Sequence, residues 1–513
     1  MLNTLKALLV VLAIGGAVFH FTRPILLRFG DASDFVRRRN LWFAVTAAGF
    51  LVPNFWLFVL LASPMLFLGG QRDRNPVAFY VLMLQVVPPV PIDIPFGGTS
   101  VLFAADNYRL LAFCVLVPAA WRFRSVRSET GSRWSNMDYL LLGFGVLQTI
   151  FFIQPDLPGH AILPDSATNH LRLAFLFLLD SYVLYFAVSR SCRSRRAIAE
   201  VLATFWLSAM ILGGIAIFET VRHWLLYMDI LKNWTNGAAT TFYLMRGTVL
   251  RAEASTGGSL SLGYILAIGV GFWLYLRSQV KSTATDVWVF ALLGFGLIAT
   301  YSRGPWLGVV LIYILFSALS SPTLAKLFKP FAGAALVAVG VGLTPLGARI
   351  VSMLPFMGGS VDVGNWTYRQ ALAERAWTLI KASPLFGDQL AVFKMQDLRQ
   401  GMGIIDMTDT YAQMALDYGL VGLSLFLGFM LVGLVKTYRF ANRIAKSDHD
   451  LAMLGFCIVA CILGTLFMLA DNSFIFVYGK MFYVLAGLAA GYARLERPFT
   501  QPVQDYRSLG EAR

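Results

Sequence analysis

The chain has 513 residues, 57% of them hydrophobic and 14% charged, and a mean hydropathy of +0.66. A soluble domain carries roughly 25% charged residues, so this composition excludes a soluble enzyme, a disordered chain and a fibrous protein. The net charge of +14 calls for no nucleic acid, because basic loops are what orients a membrane protein. Long unbroken apolar runs, without alternation, exclude an outer-membrane barrel. The expected class is an all-α polytopic integral membrane protein lying in a lipid bilayer.

The first run, 4–22, is extended past Arg23 by Ile25, Leu26 and Leu27. It reads as a retained span, since no small-x-small cleavage site follows. The run 41–69 lies between Arg37–Arg39 and the pair Arg72 and Arg74, and both groups read as cytoplasmic. It is too short for two full spans. Either Pro53 splits a re-entrant hairpin, or the run 76–92, which ends among Pro88, Pro89, Pro91 and Pro95, does not cross. Further runs follow near 109–122, 137–154, 171–188, 197–219, 259–276, 286–300, 305–320, 331–352, 415–435, 451–470 and 479–493. The expected total is 12–14 transmembrane helices.

Basic loops at Arg122–Arg133, Arg190–Arg196, Arg277–Lys281, Lys326–Lys329 and Lys436–Lys446 alternate consistently and read as cytoplasmic. The organisation is then membrane segments over 1–100 and a central bundle over 101–352 with an outer loop at 220–258. A large outer loop with amphipathic helices covers 353–414. Transmembrane helices over 415–493 and a cytoplasmic tail over 494–513 complete the chain. Cys114, Cys192, Cys457 and Cys461 show neither a disulfide framework nor zinc spacing.

In the large outer loop, Asn365 is placed to cap a helix that Ser383-Pro384 ends. Leu372, Ala376 and Leu379 form its apolar stripe. A helix lying on the bilayer would account for that stripe. Arginine is the informative residue on this side, where orientation does not require it. Arg246 and Arg251 precede the run 259–276, Arg303 sits in the turn Tyr301–Pro305, and Arg369 and Arg375 lie on the loop helix. Each could pair locally. Jointly, several guanidinium forks on one face suit phosphate, and a lipid-linked pyrophosphate at the outer surface fits.

Thr300-Tyr301-Ser302-Arg303-Gly304-Pro305-Trp306-Leu307-Gly308 resembles the SRG signature of the O-antigen ligase and polymerase family. Arg369 through Pro384-Leu385-Phe386-Gly387 is similar to that family's arginine, tryptophan and Pro-Leu-Phe-Gly pattern. Asp417-Tyr418-Gly419-Leu420-Val421-Gly422 is similar to its next span start, and Arg251 with Gly257, Gly258 and Leu262-Gly263 to an earlier outer motif. The resemblance covers about 245–430, in order. It implies a GT-C type helical bundle in the bacterial inner membrane, with the active site and the 353–414 loop facing the periplasm. It implies glycan transfer from an undecaprenyl pyrophosphate carrier without a metal or cofactor. Partners would be undecaprenyl pyrophosphate-linked glycans, with a flippase and a chain-length regulator of the assembly system.

The family's ligases carry a His where this chain reads Thr408-Asp409, which favours polymerisation over ligation to a lipid A core. Arg303, Arg251, Arg369, Arg375 and Arg246 are then the pyrophosphate ligands. Asp406 and Asp409 stand where the ligase His would be, with Glu374 and Glu253 in reserve as bases. Asp409 could instead simply cap the following helix. Polar groups within apolar runs, among them Asp106, Arg109, Asp180, Asp471 and Asn472, have no assigned role. A transporter or flippase is the rival of another class, but no internal repeat is visible and the charges sit at outer helix ends.

Overall fold

An apolar chain in a bilayer must satisfy its backbone internally, and helices do so within one segment. The computed structural model describes residues 2–90, 92–93, 104–126, 134–153, 172, 174–235, 245–246, 249–280, 282–320, 363–388, 391, 393–399, 405, 407–474 and 477–496. It is all-α. The helices that matter here are α1 Leu2–Phe29, α2 Ala32–Leu51, α3 Phe55–Arg72, α4 Pro76–Met83, α5 Asn107–Leu111, α6 Val117–Arg122 and α7 Asn136–Ile153. They continue with α8 Ala174–Ser191, α9 Arg195–Arg222, α10 Met228–Trp234, α11 Ser259–Val280, α12 Thr283–Ala299 and α13 Arg303–Ser320. The remaining helices are α14 Val363–Ala382, α15 Thr410–Ile444, α16 His449–Leu469 and α17 Val477–Arg494.

Among the described residues, α1, α3, α8, α9, α11, α13, α15 and α16 are long and apolar enough to cross a membrane, and α12 is a shorter apolar helix. The expected run 331–352 and the basic pair Lys326 and Lys329 lie outside the described residues. Local chemistry sets many of the boundaries. Asn54, Ser194, Ser282, Asp409 and Asp448 each accept a first-turn N–H from the helix they precede.

The run 41–69 breaks at Val52–Asn54 into α2 and α3, and α4 is an eight-residue buried helix followed by irregular buried chain. Arg38 of α2 meets Asp73, just past α3, at 2.7 Å, so the two helices form a hairpin whose open ends coincide.

Among the described residues, Arg74, Arg195, Arg196 and Arg443 of the basic segments lie at one end of the bundle. Asp31 pairs with Arg74 and with Arg196, Arg195 with Asp450, and Arg443 with Glu496, while buried Arg38 also meets Glu200 at 2.9 Å. At the other end, Trp234 donates to Val52 O at 3.1 Å and Ser255 Oγ to Gln85 O at 2.5 Å. Between the ends, α9 and α11 are the most enclosed spans, joined by stacked Trp206 and Trp273 with ring centroids 4.8 Å apart.

α14 starts two residues ahead of Asn365, the expected cap, and stops at Ala382, before Ser383-Pro384 as expected. Its stripe residues Leu372 and Ala376 are buried with Ala391, Met395, Met407 and Leu416. Protein therefore covers the stripe, which corrects the reading of a helix merely lying on the bilayer. Trp377, Leu385 and Phe386 point outward.

Two of the sequence motifs interlock through backbone. Leu420 N donates to Pro384 O at 2.8 Å, Val421 N to Leu385 O at 3.1 Å, and Asp388 N to Leu416 O at 2.6 Å. The pairing requires α15 to break at Gly419 (φ 65°, ψ −169°) and the turn to close at Gly387 (φ 75°). A Cβ on Gly419 would strike the Leu385 carbonyl, and one on Gly387 the Leu416 carbonyl. Gly419→Ala should therefore lower stability by about 2 kcal/mol or more, from the strained φ plus the clash. Gly294→Ala in α12, where a Cβ meets nothing within 4 Å, should be neutral or stabilising by up to about 1 kcal/mol. Thermal unfolding of the two purified variants checks this, and equal melting temperatures would show that the interlock contributes nothing.

Candidate functional site

The site is built where α12 hands over to α13. Tyr301 takes a positive φ of 48° to make the turn tight, and Trp306 Nε1 donates back to Leu297 O at 2.9 Å. Gly263 of α11 admits Pro305, whose Cγ would lie 2.8 Å from a Cβ there. This places buried Ser302 and half-buried Arg303 at the head of α13, with Nε and Nη2 of Arg303 shielded from solvent.

Arg251 reaches the same turn from the preceding segment. Its Nε donates to Thr300 O at 3.2 Å and its Nη2 to Ser302 Oγ at 3.0 Å. The segment is held in turn by Glu219, buried near the end of α9. Glu219 Oε2 accepts from Glu253 N at 3.1 Å and Ala254 N at 2.9 Å, while Oε1 accepts from Leu226 N at 3.0 Å. Ala252 N adds a bond to Ala299 O at 3.0 Å.

Asp471, in the turn after α16, completes the group. Its Oδ2 would lie 2.7 Å from a Cβ on Gly304, so the absence of a side chain there admits the carboxylate to the head of α13. Asp471 also ion-pairs with Arg369 of α14. The same turn is tied to the start of α15, where Thr410 Oγ1 donates to Asn472 O and Ser473 Oγ to Met407 O at 2.7 Å. Asp409 caps α15, its Oδ1 accepting from Tyr411 N at 2.8 Å and Ala412 N at 3.2 Å. Burial holds the Asp409 carboxyl above its ordinary range against those two bonds, and the nearby Asp471 charge adds to the rise.

Of the sequence-derived candidates, Arg251, Arg303 and Arg369 thus converge around Ser302–Gly304 and Asp471, with Asp409 in electrostatic reach of Asp471. Arg375 turns to Lys394 O at 3.4 Å, a different loop, as its position on the helix relative to Arg369 requires. Arg246 lies in the short ladder of Met245–Arg246 with Val249–Leu250. Its side chain and the whole of Asp406 fall outside the described residues. Glu374 is exposed and accepts from Gln370 at 3.2 Å. Among the described residues, no three His, Cys, Asp or Glu side chains gather in a metal-like group.

Asp471 and Glu219 are the residues that pattern reading did not bring to the site. The signal for Asp471 was a polar pair, Asp471-Asn472, closing an apolar run. For Glu219 it was a lone carboxylate near the end of another. A second polar group also emerges, in which Asp180 pairs with Arg109 at 3.0 Å and with Lys480 at 2.7 Å.

Residues 288–427 match the family model described as O-antigen ligase. The matched stretch holds Arg303, Arg369 and Asp409 and stops short of Arg251 and Asp471. No curated protein matches the chain.

Glu253, next to Arg251 in sequence and 4% exposed, is pushed up to about 8 from an ordinary 4.5 by burial and then by Glu219, against the pull of Arg251. Below the ordinary value Glu253 is protonated in both folded and unfolded chains. As pH rises from there towards 8, the unfolded chain releases its proton first, so stability falls, by at most about 1.4 kcal/mol per pH unit. Above that window the loss levels off. Glu253→Gln should remove this component, so wild type should weaken relative to the variant between about pH 5 and 8. Melting temperatures of both proteins across that range test it, and parallel curves would contradict the assignment.

Proposed function

Since residues 288–427 carry the domain of an O-antigen ligase/polymerase-like family, we propose that the chain is a membrane glycosyltransferase that polymerises undecaprenyl pyrophosphate-linked repeat units. The convergence of Arg251, Arg303 and Arg369 on one turn is the observation that carries this reading. On it, a hydroxyl of one lipid-linked unit attacks the anomeric carbon of another. The bond from that carbon to the pyrophosphate oxygen breaks, and undecaprenyl pyrophosphate leaves. The guanidinium forks and the head of α13 stabilise the charge that grows on the leaving group. Asp409 takes the hydroxyl proton, and its raised pKa suits a base that must hold it. The reaction lies on the periplasmic side of the inner membrane, opposite the basic end of the bundle.

Ligation to a lipid A core is the second reading, favoured by the description of the matching family model. Thr408-Asp409 at the position of the ligase His weighs against it. Deleting the gene distinguishes the two. Single repeat units should accumulate on the carrier if the chain polymerises, and finished polymer should accumulate on the carrier if it ligates. Unchanged surface polysaccharide would reject both.

In the purified protein, Arg303→Lys keeps the charge and loses the fork, and should cut transfer by about a hundredfold. Asp409→Asn keeps the cap, since Asn caps as well as Asp, but should lose about a hundredfold or more if the carboxylate is the base. Near wild-type transfer by Asp409→Asn would leave Asp409 as a cap only.

A further inference from the structure

Joining two glycans requires a place for each, and the arginine group supplies recognition of only the charged leaving group. At the same end of the bundle lies a second polar group of different character. Asp106 caps α5 by accepting from Arg109 N at 2.8 Å. Arg109 and Lys480 both pair with Asp180, at 3.0 and 2.7 Å, and both lie within electrostatic reach of Asp106. Two cations face two carboxylates, so the group has no net pull on a phosphate. Asp180 stands on a π-helical turn, Leu178–Val183, and Arg109 lies three residues before another, Ala112–Leu116. Such turns re-aim side chains and recur at functional sites.

Beside this group are neutral polar atoms with no bond among the described residues. Tyr108 is 2% exposed, within electrostatic reach of Asp106, and its hydroxyl has no hydrogen-bond partner among the described residues. Gln85 is 5% exposed, neither atom of its amide is bonded among the described residues, and its segment meets the group where Val87 O accepts from Asn107 Nδ2 at 2.6 Å, next to Asp106. Buried polar atoms are nearly always satisfied, so each exception calls for a reason. Both ends of the group adjoin the arginine site. The Gln85 carbonyl accepts from Ser255, four residues past Arg251. Lys480 follows by two residues Tyr478, whose hydroxyl accepts from Asn472 at 2.7 Å, next to Asp471.

We propose that Asp106, Arg109, Asp180, Lys480, Tyr108 and Gln85 form a subsite for the hydroxyl groups of an uncharged glycan, the acceptor of the transfer. Its role as acceptor site rests on the glycosyltransferase reading above. Sugar hydroxyls both donate and accept. Carboxylates take their protons, the guanidinium and ammonium groups donate to their oxygens, and the idle phenol and amide find partners. The arginine site holds the carrier pyrophosphate, and this neutral site holds the incoming sugar.

The test uses the purified full chain and two probes. One is the phosphate-free repeat oligosaccharide released by mild acid from the producing bacterium's own lipid-linked repeat, which can act only as acceptor. The other is undecaprenyl pyrophosphate without a glycan. Tyr108→Phe and Gln85→Leu remove groups that the free protein leaves unbonded, so neither should lower the melting temperature. Each should weaken oligosaccharide binding about tenfold, the worth of one good hydrogen bond, and leave carrier binding within about twofold. Arg251→Ala should do the reverse. Oligosaccharide binding that is absent in wild type or unchanged in both variants would overturn the subsite. So would a parallel loss of both probes with a lowered melting temperature. Oligosaccharide binding that depends on Tyr108 and Gln85, in a protein that does not bind the carrier, would keep the subsite and reject the glycosyltransferase reading.

Discussion

The carboxylate of Asp471 lies between two positive centres that would otherwise repel each other. On one side is Arg369 of α14, and on the other the head of α13, where unsatisfied backbone N–H groups and Arg303 concentrate positive charge. Gly304 makes the approach sterically feasible. Through this one side chain, the segment after α16, the loop helix α14 and the start of α13 are held at a common point. Bonds from the same turn to Met407 and Thr410 add the start of α15. Asp471 thus sets a carboxylate beside the point on which the three arginines converge.

The remaining supports are backbone contacts rather than side-chain packing. Glu219 spends both carboxylate oxygens on three N–H groups and so fixes the strand of chain that carries Arg251. The turn after α14 pairs with the break in α15 through three further backbone bonds. Both devices suit a site at the end of a membrane bundle. Irregular chain there must find partners for its polar groups within the protein, and bonds of this kind fix position more tightly than contacts between flexible apolar side chains.

This division explains what could be read from the chain alone. A bilayer imposes a long apolar run on every span, so the all-α class and the basic end of the bundle were written locally. The loop helix was legible from Leu372 and Ala376, and its end from Ser383-Pro384, though its start was not, because Asn365, read as the cap, lies two residues inside the helix. Gly387 and Gly419 marked themselves as glycines, but their mutual need is a contact between residues 32 apart and has no local trace. The Arg369–Asp471 pair joins residues 102 apart, and nothing in the periodicity of either segment names the other. The apolar stripe of α14 was ambiguous for a related reason. Lipid and protein both bury Leu and Ala, and only the placement of Met395, Met407 and Leu416 decides which does so here.

The strength of the Arg369–Asp471 tie follows from its exposure. The two side chains are 37% and 39% exposed, so water and salt screen them, and such pairs are worth about 0–1 kcal/mol. Buried pairs at the basic end, such as Arg190 with Asp138 at 1% and 0% exposure, are of another kind, because removing one partner there strands a desolvated charge. The Arg190–Asp138 pair is therefore fixed, whereas the pair at Asp471 is exchangeable. A guanidinium held by an exposed carboxylate is kept in place and kept charged, yet an anion with more than one oxygen to offer can compete for it at little cost. The pair at Asp471 thus orders the arginines without committing them.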